Sequence, residues 1–334
     1  MDAAPLVTAT LSALSVVGIL ALVPLLGLLR ARSAGEPLQP RVLLPVAATG
    51  AAVTAIAVAT GLTGIAAPFL APAIALGALF ATVATLGLTA APLARQIVVV
   101  FVLTIVVFVP VVSVVLTLWW DPFATGLGYL DYGVSVPIVV AAACAALGTL
   151  VIARVRPVQI HLGWGALGVI CGIWAATLAW LVGFELAVDE VTALVVVNGL
   201  IMPPAAVATS ALVERVRHRR NTVAGVVFGA LGGLAAAAAT AAYLITSVAV
   251  VVGLVAGMLV AFLPETGAAR RIALTLLVGG GSGILLLGLV ARDVSFIYTG
   301  QPEVLFGQVL AVVLVGGASF GLGVLLWLAL RPRR

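Results

Sequence analysis

The scarcity of charge, and the places where the few charges stand, constrain this chain more than any motif does. Charged side chains cut its 334 residues into uncharged runs at 3–29, 42–94, 96–120, 132–153, 157–184, 191–213, 221–264, 272–291 and 304–330. A bilayer-spanning helix needs about 20 mainly apolar residues, and seven of these runs suit one such helix each. The runs 42–94 and 221–264 are too long for one, because at 1.5 Å per residue they reach roughly 65 to 80 Å, against a hydrocarbon core of about 30 Å. Each therefore crosses twice. Pro68 and Pro72 in GIAAPFLAP mark the first reversal, and small polar residues between Tyr243 and Ser247 mark the second. The expectation is eleven spans, at about 5–29, 42–65, 69–93, 96–119, 132–153, 162–184, 191–213, 222–242, 246–264, 272–291 and 306–330, in one transmembrane domain covering 1–334.

The basic residues give an independent reading, since cytoplasmic loops hold an excess of Arg and Lys. All 16 are arginines. Arg30, Arg32 and Arg41 follow span 1, Arg95 follows span 3, Arg154 and Arg156 follow span 5, and Arg215, Arg217, Arg219 and Arg220 follow span 7. Arg270 and Arg271 follow span 9, and Arg331, Arg333 and Arg334 follow span 11, which leaves Arg292 alone on the other side. That other side carries Asp2, Asp121, Asp131, Glu185, Asp189, Glu190, Asp293 and Glu303. The pattern predicts an all-α integral membrane protein with its N-terminus outside and its C-terminus inside. Eleven spans accommodate two inverted five-helix halves plus a final helix, an arrangement that puts a substrate path between the halves.

Composition excludes the soluble classes. Apolar residues make up 64% of the chain and charged ones 8%, where a globular domain carries about a quarter charged. The formal charge of +5 follows loop topology and is no nucleic-acid footprint. Cys144 and Cys171 lie in apolar stretches, so no disulfide frame or metal cluster is indicated. The opening MDAAPLVTAT lacks the basic flank of a secretory signal and is read as the start of span 1. His161 and His218 stand at loop edges without a carboxylate or serine partner at a useful spacing, and GGGSG at 279–283 lacks the strand and lysine of a phosphate loop. No enzyme, cofactor or metal site is expected. Arginine-only basic usage with abundant Ala, Val and Gly looks like a GC-rich bacterial genome. Glycines spaced by four, at Gly225, Gly229 and Gly233, Gly253 and Gly257, Gly279 and Gly283, and Gly317 and Gly321, read as close helix-packing faces.

Polar residues at membrane depth are site candidates by default. In LWWDPFATGLGYLDYGVSVPIVV, Trp119 and Trp120 close span 4 and Asp131 opens span 5. Two readings stand: an aromatic belt with a capping aspartate, or an outer vestibule where tryptophan faces and carboxylates attract a small cation. WLVGFELAVDE, with Trp180, Phe184, Glu185, Asp189 and Glu190, makes the same face acidic and aromatic.

The order of these features resembles the ammonium transporter superfamily (Amt/Mep/Rh). Its fifth span opens D-F-A-G-G-x-V-x-H, and here the place reads LDYGVSVPIVV, with Trp119 twelve positions before Asp131. Its G-W-F-G-F-N segment resembles AWLVGFE at 179–185, and its N-T-x-x-A-A-A-A segment resembles VVNGLIMPPAAVATSALVE, with Asn198 at the asparagine. FATVATLGLTAAPLAR resembles F-A-x-I-T…A-E-R, FGALGGLAAA resembles G-A-x-A-G-L-V, and LLVGGGSGILLLGLVA resembles H-G-V-x-G-I-x-G…T-G-I-F-A. The resemblance runs over roughly 75–330.

By that resemblance Trp119 matches the outer cation site, whose serine falls near Val188 and is absent. Phe80 and Phe184 match the stacked phenylalanines that gate the pore, and Asp131 matches a buried aspartate supporting the vestibule. The paired pore histidines fall on Val139 and Leu276, both aliphatic. Imidazoles relay a proton and aliphatic side chains do not, while a bare ion in an apolar pore is costly. Two functions follow: an ammonium/ammonia channel-type transporter carrying a small cation or neutral ammonia, or a degenerate Amt-like protein that conducts only a neutral gas or serves as a structural or sensing subunit. The resemblance also implies a homotrimer in the plasma membrane. With the inner end reading RPRR, the family's cytoplasmic regulatory partner is not expected.

Overall fold

The computed structural model describes residues 3–88, 91–120, 128–153, 160 and 162–330. Among the described residues the chain is helical, without strands. In order come α1 (Ala3–Ala34), α2 (Pro40–Ala59), α3 (Ala67–Ala84, opened by a 3-10 turn), α4 (93–120), α5 (137–153), α6 (Gly165–Phe184), α7 (Glu190–His218), α8 (Val223–Thr240), α9 (Thr246–Ala261), α10 (Ala268–Val290), a single turn at Phe296–Thr299, and α11 (Glu303–Leu330). Nine of these are long and apolar enough to cross a membrane, and α5 and α9 are shorter apolar helices. The chain is a multi-pass membrane protein.

Local chemistry sets the breaks. α2 has proline at its start, where the missing N–H costs nothing. The break before α3 holds Gly61 and Gly64 at positive φ and ends at Pro68 in the opening turn. Asp189 caps α7 reciprocally with Thr192, and Thr222 caps α8 through the Gly225 N–H. The long apolar run after residue 221 breaks between Thr240 and Thr246. There Asn198 of α7 is buried and its Nδ2 donates to the carbonyls of Ala241 and Leu244, both at 2.7 Å.

The same pairings recur five helices apart. α2 packs on α3 as α7 does on α8, α1 on α3 as α6 on α8, and α2 on α4 as α7 on α9, while α1 lies along α6. Glycine makes the close approaches possible. A Cβ on Gly257 would overlap the Ala206 backbone, one on Gly279 the Gly232 backbone, and one on Gly183 the Leu11 and Ser15 backbones. The ladder expected at Gly317 and Gly321 differs: both face open space, and on α11 the glycines in close backbone contact are Gly307, against Gly128, and Gly323, against Ala145.

Candidate functional site

α5 begins with a tightly held turn. Asp131 is buried and its carboxylate accepts four hydrogen bonds: from the Ser135 N–H (2.8 Å) and hydroxyl (2.7 Å), the Val136 N–H (2.8 Å) and the Tyr129 hydroxyl (3.3 Å). These satisfy the free N–H groups at the head of the helix. The turn carries Val134 at a φ of 52°, outside the usual range for a β-branched residue. It docks on the end of α8, where the Tyr132 and Gly133 N–H groups donate to the Ala239 and Ala238 carbonyls at 3.2 and 3.0 Å. Asp131 thus holds the entrance of α5 in shape. Trp119 is the next-to-last residue of α4, and its side chain lies outside the described residues, as do Asp121 and His161.

The aromatic pairing differs from expectation. Phe184, the last residue of α6, packs against Phe69 with ring centroids 5.1 Å apart, and Phe80 packs against Phe108 of α4, also at 5.1 Å. All four rings are fully buried. Phe69 and Phe80 stand eleven residues apart on α3, about 16 Å along its axis, so the partner expected for Phe184 is displaced by three turns. The physical reason is position along α3: Phe69 stands in its opening turn, at the end that meets Phe184, and Phe80 stands about three turns further along. Pro68 and Phe69 in the opening turn of α3 were the signal available in the sequence.

Immediately after Phe184, Glu185 turns its carboxylate inward. Both oxygens are shielded from solvent and make no hydrogen bond of standard geometry. Burial pushes its pKa up to about 7; the neighbouring Asp189 carboxylate adds to the rise, and Thr192 and the Tyr132 hydroxyl oppose it. Asp189, fully exposed, is held below the usual carboxylate range by the Val191 N–H. One residue of this pair is therefore charged at neutral pH and the other is poised to exchange a proton.

Further in, the two aliphatic positions meet one crossing. Gly133 packs on Leu181, one turn before Phe184. Six residues beyond Gly133, Val139 sits in a π-helical segment, Pro137–Ala142, and seats on α10 at Gly280, where a Cβ would lie 2.5 Å from the Val139 Cβ. Leu276 is one turn before Gly280 on α10, and both Val139 and Leu276 are buried. A second π-helical segment, Thr104–Phe108 in α4, packs beside that of α5 and supplies Phe108. Such segments are frequent at functional sites. Gly280 and the π-helical register were missed by sequence reasoning, because neither changes hydropathy. Among the described residues no group of His, Cys, Asp and Glu is arranged to hold a metal, and His218 stands at the arginine-rich end of α7, away from this crossing.

No protein-family model matches the chain, and no curated protein matches it. Solved structures do. Candida albicans Mep2 superposes with a TM-score of 0.81 at 18% identity, covering 98% of this chain and 84% of that one. Saccharomyces cerevisiae Mep2 gives 0.82 at 14%, covering 96% and 87%. A protein described as a sensor Amt protein gives 0.76 at 16%, covering 98% and 93%. Over almost its whole length, the chain has the Amt/Mep fold.

Proposed function

We propose that this protein is an ammonium/ammonia channel-type transporter that takes up the cation at an acidic outer mouth and passes only the neutral molecule. The observation that supports it most is a succession of groups. Glu185 and Asp189 follow α6, the Phe69–Phe184 pair immediately precedes Glu185, and buried Val139 seats on Gly280 of α10, one turn from buried Leu276. The acids attract ammonium. A carboxylate with a pKa near 7 takes its proton and returns it to the outer water. An apolar passage excludes the ion, whose desolvation it does not compensate, and admits a small neutral molecule. In this reading α5 and α9 also span, giving eleven crossings, N-out and C-in. The recurring pairings five helices apart fit two inverted halves plus α11. The chain acts in the plasma membrane as a homotrimer, and Trp119 belongs to the vestibule.

The same crossing favours a second reading. Val139 fills the notch at Gly280, as a permanently closed path does, and one of the matched structures is described as a sensor; a non-transporting structural or sensing subunit fits both. Proteoliposomes decide between them. An outward-to-inward ammonium gradient is expected to alkalinise the lumen faster than in empty vesicles. A rate equal to that of empty vesicles at every pH leaves the second reading.

A further inference from the structure

At the arginine-rich end of the bundle, opposite the proposed mouth, α1 to α4 enclose a hollow of about 40 Å³ with Arg30 on its wall. Its volume takes roughly three water-sized groups, enough for the non-bridging oxygens of one phosphate group. Arg30 is only 9% exposed. A cation so withdrawn from water needs counter-charge, and what it has is Glu36, bonded to Nη2 from the turn between α1 and α2. That partner is 46% exposed and engages one of five guanidinium donors. Three of the other polar groups on the wall are spent internally, and Gln39 stands exposed at its edge. Thr82 and Thr85 donate to the Ala78 and Ala81 carbonyls, and the Gln96 amide donates to the Ala91 carbonyl. The buried open donor capacity in the hollow therefore belongs to Arg30, with the exposed Gln39 amide beside it. Beside it the wall is apolar, with Val42, Val46 and Leu86, and Arg41 stands exposed in the first turn of α2.

In a membrane protein, a buried guanidinium with an apolar wall beside it fits an oxyanion carrying a hydrocarbon tail. We propose that the Arg30 hollow binds the phosphodiester of an anionic phospholipid in the leaflet that meets the arginine-rich face. Glu36 acts as an internal competitor that occupies the guanidinium when the lipid is absent. The proposal depends on the chain lying in a membrane and not on what it transports.

The detergent-purified full chain, titrated with dioctanoyl-phosphatidylglycerol and followed by native mass spectrometry and by melting temperature, tests it. A saturable one-to-one adduct that raises the melting temperature is expected, and dioctanoylglycerol, which lacks the phosphate, gives none. Arg30→Met weakens the adduct at least ten-fold. Glu36→Gln, which removes the competitor, tightens it about two- to five-fold. Millimolar inorganic phosphate that displaces the lipid shows that the oxyanion carries recognition; failure to displace it shows that the attached chains contribute as well, and both support the site. Equal binding of dioctanoylglycerol overturns it, as does undiminished binding by Arg30→Met. Should Arg30→Met fail to fold, an unchanged affinity in Glu36→Gln overturns it alone.

Discussion

The entrance of α5 and the crossing six to eight residues further along are built on opposite principles. At the entrance the buried carboxylate of Asp131 gathers four donors, and Glu185 and Asp189 stand close by with perturbed acidity. At the crossing Val139 meets Gly280, a side chain seated on a backbone with no ionisable group between them. One region holds ionisable groups; the other has none. In the proposed reading ammonium is sorted from ammonia at the boundary between them, the Phe69–Phe184 pair.

The largest effect is expected where the entrance is broken. Asp131→Ala leaves two backbone N–H groups and two hydroxyls buried without their acceptor, which costs about 3 kcal/mol or more, read as a large fall in melting temperature in detergent. Asp131→Asn, which keeps part of the acceptor set, falls less. At the crossing the sign depends on which partner grows. Gly280→Val drives a Cβ into Val139 and costs about 1–3 kcal/mol by overpacking, and transport stops. Val139→Ala loses about 1 kcal/mol of packing and speeds ammonia entry, since it widens the notch. Equal rates in wild type and Val139→Ala would place the rate-limiting step elsewhere.

The smallest effect on stability, and the sharpest on pH, is at Glu185. Its folded pKa of about 7 lies above the model-peptide carboxylate value, so its protonated form is the one favoured in the fold. Its contribution is present at low pH and is lost as pH rises through about 7. Glu185→Gln should flatten that slope of stability between about pH 4.5 and 7. The deprotonated form is the one that recruits cation and takes its proton, so wild-type apparent affinity for ammonium rises as pH passes 7, and the variant loses that rise and falls in maximal rate as well. An unchanged pH profile removes Glu185 from the mouth.

The helical architecture was legible because it rests on hydropathy and charge, both local. The long run from 221 to 264 breaks at Thr240 to Thr246 because small polar residues interrupt it there, and the cap at Asp189 and Thr192 is visible as a spacing of three. Phe69 was hidden for a different reason. Ring partners depend on where a helix starts, and the turn that opens α3 at Ala67 lies inside a stretch that stays apolar on both sides. Gly280 could be read as one of several packing glycines, but not as the one that receives Val139. That assignment depends on the π-helical register of Pro137–Ala142, which apolar residues of similar size do not encode by periodicity.

The central claim is that charge stops at the rings and only the neutral molecule passes Val139. Simultaneous recording of ammonium-evoked current and lumenal pH in proteoliposomes tests it most directly, with the Val139→His/Leu276→His double variant alongside. The account predicts lumenal alkalinisation without current for the wild type, and an added inward current for the variant, whose imidazoles supply a proton path. An ammonium-evoked current in the wild type, at the size seen in the variant, would contradict it.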